Sequence, residues 1–268
     1  MTVGEFLVLG TGQFAEAGIE TARLDCLILL EDALKIGRPS LLAHPETELR
    51  SEQLAHLSRQ IKQRAGHTPL AYIRGHAPFY GRDFVVDKHV LVPRPETETI
   101  ITLFKNLPLP VGARVADIGT GSGCIAITAA LESPSAVVAG CDISAQALKI
   151  ASQNATQLNA SIQFYKSDLL ANLRDNYDVL LANLPYVPEH FPVNQAATHE
   201  PKLALFSGAD GLDAYRIFWQ QAAGLTHKPQ FILTESLPAQ HHVLAQIARA
   251  NGYAIEKRDD FVQVFSLL

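Results

Sequence analysis

Arg114-Val115-Ala116-Asp117-Ile118-Gly119-Thr120-Gly121-Ser122-Gly123 decides the fold. A short apolar run ends in an acid and passes through three glycines into a helical pattern starting at Ser122. Glycines at a strand-to-helix turn let a ligand come close to the backbone and to the unpaired N–H groups of the helix N-terminus. Outward from this turn the chain keeps alternating. Residues 136–141, 162–165, 177–182 and 230–234 read as strands, and 144–158, 211–223 and 238–250 as helices. Residues 253–257 and 261–267 follow so closely that they pair antiparallel. This order predicts an α/β fold: a doubly wound, mostly parallel seven-stranded sheet with helices on both faces.

Upstream the texture is different. Leu24, Leu27, Leu30, Ala33 and Leu34 recur at spacings of three and four until Gly37-Arg38-Pro39 stops them. Leu54, Leu57 and Ile61 form a stripe opposite Arg59, Lys62 and Arg64 before Gly66. Residues 1–77 are therefore expected to be a small helical domain. Phe79-Tyr80, Phe84-Val85-Val86 and Val90-Leu91-Val92 flank the polar Asp87-Lys88-His89, which predicts a β-hairpin linker over 78–95. Pro93-Arg94-Pro95 cannot continue a sheet centre, and Glu96-Thr97-Glu98 opens a helix carried by Ile100, Ile101 and Phe104. The α/β domain then occupies 96–268.

With 47% apolar and 18% charged side chains in 268 residues, the chain has enough apolar material for two packed domains and is no disordered segment. A formal charge of −5 gives no global attraction to nucleic acid. Residues 50–94 nonetheless hold eight basic side chains against three acidic ones, a solvated face or a contact surface for an acidic partner. Three widely spaced cysteines form neither a disulfide framework nor a zinc knuckle, and no histidine has the spacing of a metal ligand, so no metal is expected. No leader peptide and no bilayer-length apolar run is read, which points to the cytoplasm and to no membrane contact.

The glycine loop is not a dinucleotide fingerprint, because Cys124 stands where the last glycine belongs, and Asp117 would repel a pyrophosphate. An acid before the loop suits a ligand with no phosphate and a positive charge, and S-adenosyl-L-methionine answers that description. Asp142, 23 residues after Gly119, ends the next strand, where a carboxylate can accept ribose hydroxyls. Asp168 follows the third strand, beside the expected adenine edge or as a helix N-cap. The expected cofactor residues are Asp117, Gly119, Thr120, Gly121, Ser122, Gly123, Asp142, Asp168, Leu169 and Asn183.

Asn183-Leu184-Pro185-Tyr186 follows the fourth strand, at the sheet edge where such folds bind ligands. The Asn183 side-chain oxygen and the Leu184 carbonyl can accept the two hydrogens of a planar NH₂ group. Pro185 restricts Leu184 and so fixes where its carbonyl points, and the Tyr186 ring offers a face for a flat amide or base. Held this way, an amide nitrogen is oriented for in-line attack on a sulfonium methyl, with Asn183, Pro185 and Tyr186 as the catalytic set.

The chain resembles the HemK/PrmC family, the peptide chain release factor glutamine N5-methyltransferases. The resemblance rests on Pro69-Leu70-Ala71-Tyr72-Ile73-Arg74-Gly75, Val92-Pro93-Arg94-Pro95-Glu96-Thr97-Glu98, the glycine loop, Asn183 to Tyr186, His199-Glu200-Pro201 and Ser207-Gly208-Ala209-Asp210-Gly211-Leu212. It implies a helical domain that helps recognise the release factor, a hairpin linker, and a catalytic domain that methylates the glutamine of the factor's Gly-Gly-Gln loop. A monomer without direct nucleic-acid binding is expected. Leu184 stands where the family usually has proline, Leu169 where it often has an aromatic residue, and Glu235-Ser236-Leu237-Pro238 lacks the usual glycine. Two other readings follow from the residues: an adenine N6-methyltransferase acting on RNA or DNA, and a donor-binding module without turnover.

Overall fold

The computed structural model describes residues 1–173 and 176–268. They form two compact units, residues 1–75 with 193–199, and residues 76–192 with 200–268.

The first unit holds helices α1 (Val3–Glu16), α2 (Ala22–Leu34), α3 (Arg38–Ala43), α4 (Ser51–Ala65) and α5 (Leu70–Arg74). Phe6, Phe14, Leu29, Leu30, Leu57 and Ile61 close its core. Thr2 caps α1 through a reciprocal pair with Glu5, satisfying two helix-end donors. Two basic side chains of the 50–94 stretch are spent inside this unit, Arg64 on Asp25 at 2.7 Å and Arg74 on Asp32 at 2.6 Å.

The second unit starts with strands β1 (His76–Phe79) and β2 (Arg82–Val85), paired antiparallel from His76↔Val85 to Phe79↔Arg82. The hairpin turn is thus Tyr80-Gly81, not the polar 87–89 segment expected from sequence, and Val90-Leu91-Val92 forms no strand. Both turn residues have positive φ, 49° and 73°, the geometry that matches a two-residue hairpin to strand twist. Tyr80 is held there by its N–H donating to Glu98 at 2.7 Å, with the Lys105 ammonium over its ring. Asn154, fully buried, donates to the Val85 carbonyl and to the Ser122 carbonyl and accepts the Val85 N–H, tying the hairpin to the glycine loop.

The large sheet contains β3 (Arg114–Ile118), β4 (Val137–Asp142), β5 (Gln163–Lys166), β6 (Val179–Ala182), β7 (Phe231–Glu235), β8 (Tyr253–Asp259) and β9 (Val262–Leu267) in the order β5-β4-β3-β6-β7-β9-β8. β9 is inserted between β7 and β8 and is antiparallel to both, while the other adjacent strand pairs are parallel. Strand alternation separates two cores. Val115, Val138, Leu181 and Leu233 face α6 (Glu98–Phe104) and α7 (Cys124–Glu132). Ile118, Cys141, Leu180 and Ile232 face Phe218 and Trp219 of α10 (Asp213–Ala223) and Leu244 of α11 (His241–Ala250). Helices α8 (Ala145–Gln157) and α9 (Lys202–Leu205) complete the unit. The strand order reverses at β3, and this is where such sheets open a crevice at their carboxyl ends.

Candidate active site

A cavity of about 310 Å³ lies at that reversal, lined by Gly119 to Ser122, Asp142, Asp168, Leu169, Asn183, Leu184 and Pro185 among others. Gly119, Gly121 and Gly123 all have positive φ, between 53° and 82°, so the loop needs residues without a Cβ penalty. The Gly119 and Thr120 N–H groups donate to the Cys141 carbonyl at 2.9 and 2.8 Å, which folds the loop over the end of β4.

Asp142 lines the cavity. Its two oxygens already accept the N–H groups of Gly121 at 2.9 Å and Ser144 at 2.8 Å, and each keeps a lone pair for a ligand hydroxyl. Burial raises its pKa, against those backbone donors. Asp168 is exposed at the rim and opens a turn, its carbonyl accepting the Ala171 N–H; no helix follows it, so it is not an N-cap. Leu169 lines the cavity with left-handed backbone, φ 50°, and its carbonyl accepts the Cys141 thiol.

Asp117 is not in the cavity. Strand alternation puts it on the Val115 face, fully buried beneath α7. There Oδ2 accepts the Thr120 hydroxyl at 2.6 Å and the Ala126 N–H at 3.2 Å, while Oδ1 has no partner. Gly140 beside it makes room, since a Cβ there would sit 2.9 Å from Thr120 Oγ1. Burial pushes the Asp117 carboxyl up to about 7. The residue shapes the loop from behind.

At the end of β6, Asn183 Nδ2 donates to Thr97 Oγ1 at 3.1 Å. Leu184 is buried in the α10-side core, and its N–H donates to the Tyr215 hydroxyl at 3.3 Å, a bond that a proline could not make. Tyr186 is not among the cavity-lining residues. Its hydroxyl donates to Glu235 Oε1 at 2.9 Å, and its carbonyl accepts from Gln240 Nε2 at 2.8 Å. Gly211 closes against that carbonyl, where a Cβ would stand 2.1 Å from the oxygen.

Sequence reasoning passes over Glu235, Thr97 and the role of Glu200. Glu235 is 1% exposed, and burial pushes its carboxyl up to about 7, held back by Thr97, Tyr186 and Asn183. An acid ending the apolar strand 230–234, as Asp142 ends β4, is the signal that marks it. Glu200 accepts from Arg94 at 2.5 Å and from the Val92 N–H at 3.0 Å, which holds the Pro93-Arg94-Pro95 turn at the cavity wall.

The Asp142 carboxylate at the loop suits ligand hydroxyls rather than a pyrophosphate, and the cavity has the size of a small-ligand site, ~300–1,000 Å³. S-adenosyl-L-methionine fits these residues. Glycine loop, strand-end acid and Asn-x-Pro-Tyr turn on one seven-stranded sheet define a methyltransferase. Residues 5–75 match the family described as PrmC N-terminal domain, and residues 98–203 the methyltransferase small domain. The chain is 38% identical over 237 residues to the release factor glutamine methyltransferase of Coxiella burnetii, spanning 87% of this chain and 86% of that protein. Over 258 residues it is 38% identical to the protein of the same name from Moorella thermoacetica, spanning 94% and 91%. It belongs to the release factor glutamine methyltransferase family. In fold it is similar to a methyltransferase from Pyrococcus furiosus, with TM-score 0.53, 16% identity, and coverage of 81% of this chain and 98% of that one. The hMettl16 catalytic domain in complex with a 3'UTR hairpin is also similar, with TM-score 0.56, 14% identity and coverage of 81% and 82%.

Proposed function

We propose that the protein transfers a methyl group from S-adenosyl-L-methionine to the side-chain amide nitrogen of the glutamine in the Gly-Gly-Gln loop of a peptide chain release factor. The observation that carries this reading is the Asn183-Leu184-Pro185-Tyr186 turn, whose Asn183 faces the donor cavity with its Nδ2 occupied by Thr97. The Asn183 oxygen and the Leu184 carbonyl hold the two amide hydrogens, and Tyr186, anchored on Glu235, supports the flat group. When bound, the donor supplies an electrophilic methyl on a sulfonium centre. Gly119 to Gly123, Asp142 and Leu169 hold the donor, Asp168 stands exposed at the rim of the same cavity, and Asp117 keeps the loop in shape. The chain's own contribution is positioning and fixed dipoles, with no covalent enzyme intermediate.

The helical residues 1–77 take the role of partner recognition, 78–95 that of a linker, and 96–268 that of catalysis. Family matches over 5–75 and 98–203 support this division. The protein acts as a monomer in the cytoplasm, where release factors work. Cys26, Cys124 and Cys141 are free and buried, and no helix of the described residues is long and apolar enough to cross a membrane. Among those residues no group of His, Cys, Asp and Glu is placed to hold a metal ion.

Incubation with labelled donor and either release factor or ribosomal RNA, with the label located by mass spectrometry, tests the reading. Label on the Gly-Gly-Gln glutamine is expected; label on RNA adenine, or on neither, overturns it. Asn183→Ala is expected to lower transfer about 100- to 1,000-fold, as for loss of one preorganised polar group, with donor affinity kept within about threefold. Loss of donor binding would reassign Asn183 to the donor.

A further inference from the structure

Thr97 lies in the Pro95–Thr97 turn, 2% exposed, inside the Val92 to Glu98 segment. Three observations meet at its hydroxyl. Asn183 Nδ2 donates to Thr97 Oγ1 at 3.1 Å. The Glu235 carboxyl faces both Thr97 and Asn183. Of that carboxyl, Oε1 accepts the Tyr186 hydroxyl at 2.9 Å while Oε2 is buried without a partner.

A threonine hydroxyl has one proton to give and two lone pairs to offer. Asn183 Nδ2 is the donor to Thr97 Oγ1, so a Thr97 lone pair takes the NH₂ side of the amide. The Asn183 oxygen is left for the cavity. Without this arrangement the two amide orientations differ little in shape, and the wrong one sets NH₂ against the NH₂ of an incoming amide.

We propose that Thr97 is a positioning residue that holds the NH₂ side of Asn183 and thereby fixes which atom of Asn183 meets the methyl acceptor. The proposal deepens the methyl-acceptor reading of the site and rests on it for its consequence, though the amide orientation itself can be measured without any acceptor.

The first experiment uses donor-free protein labelled with ¹⁵N-asparagine, the Asn183 side-chain signal being assigned by its loss in Asn183→Ala. Proton exchange of that NH₂ group with water is expected to be at least about tenfold slower in the wild type and in Thr97→Ser than in the near-isosteric Thr97→Val, because only the first two keep the acceptor. Equal exchange in all three overturns the proposal whatever the substrate is. The second experiment measures transfer to release factor. Thr97→Val is expected to lower kcat/KM about 10- to 100-fold, the loss of one hydrogen bond's worth of positioning. Thr97→Ser is expected to stay within about threefold of wild type, and Thr97→Val to add nothing further in an Asn183→Ala background. An equal additional loss in that background would mark Thr97 as merely structural and overturn the proposal. Wild-type protein that transfers no methyl to release factor, yet shows the slow Asn183 exchange, would overturn the substrate reading and leave the orientation assignment standing.

Discussion

Glu200→Ala removes a carboxylate whose side chain is 2% exposed and whose two oxygens serve Arg94 and the Val92 N–H. Leaving a buried N–H without an acceptor costs about 1–3 kcal/mol. Breaking a fully buried ion pair from one side costs about 3–5 kcal/mol. The Arg94 side chain is 36% exposed and regains water, so its share is discounted. A total of about 3 kcal/mol follows, and at ~2–4 °C per kcal/mol for a unit of this size the midpoint falls by roughly 6–12 °C. Glu200→Gln keeps an acceptor and is expected to lose about half as much.

The assay is specific to the catalytic unit. The single tryptophan, Trp219, is fully buried against Phe218, Tyr253 and Phe265, so its fluorescence follows the unfolding of that core. In an Arg94→Ala background, Glu200→Ala is expected to cost less by about 1–3 kcal/mol, the coupling of a charged pair in contact. A Glu200→Ala midpoint unchanged from wild type, or an equal cost in both backgrounds, would falsify the assignment of Glu200 as the clamp of the Pro93 turn.

Three further outcomes are expected. Gly211→Ala, with φ +80° and a Cβ 2.1 Å from the Tyr186 carbonyl, should lose at least ~1–2 kcal/mol to left-handed strain; it should impair methyl transfer more than donor binding, as calorimetry and kinetics will register. Asp142→Ala should weaken donor binding by a factor of about 10–100 through lost charged acceptors, whereas exposed Asp168→Ala should change it by less than about threefold; the reverse ranking in titration calorimetry would move the donor's hydroxyls to Asp168. Asp117 has its folded pKa raised by burial from 3.8 to about 7, so the stability it lends is full below about pH 4 and lost as pH rises through 7. Thermal midpoints of Asp117→Asn measured from pH 5 to pH 8 should therefore fall less than those of the wild type.

The α/β half was legible because each strand is bounded by its own punctuation: Asp117 and glycines, then Asp142 before Ser144, then Asn183 and Pro185. Where the sequence misled, a tertiary contact overrode a local signal. The hairpin turn hid because Tyr80 occupies a left-handed position that usually announces itself as Asn or Asp, and Glu98 secures it from eighteen residues away. Helix α1 went unread because Gly4, Gly10 and Gly12 depress helix propensity, although Gly10 is needed where the Cys26 sulfur packs, 2.7 Å from where a Cβ would stand. Asp117 was legible as an acid beside the loop, but its direction was set by strand parity. Of the eight basic side chains in 50–94, Arg64, Arg74, Arg82 and Arg94 form ion pairs with acids outside that stretch, which composition alone cannot reveal.

The insertion of β9 between β7 and β8 carries a consequence for the order in which the site is assembled during synthesis. β3, β4 and β5 lie within residues 114–166 and can associate as soon as they emerge, so the donor-side loop and Asp142 are drawn from the early part of the sheet. Tyr253–Asp259 has no neighbour to join until Val262–Leu267 slots in beside Phe231–Glu235. Glu235, paired with Val262 in that event, therefore gains this neighbour only after residue 262 has been made. The strand that carries Glu235, the acceptor of the Tyr186 hydroxyl, thus receives its last neighbour after the strands that carry the glycine loop and Asp142 have already been made.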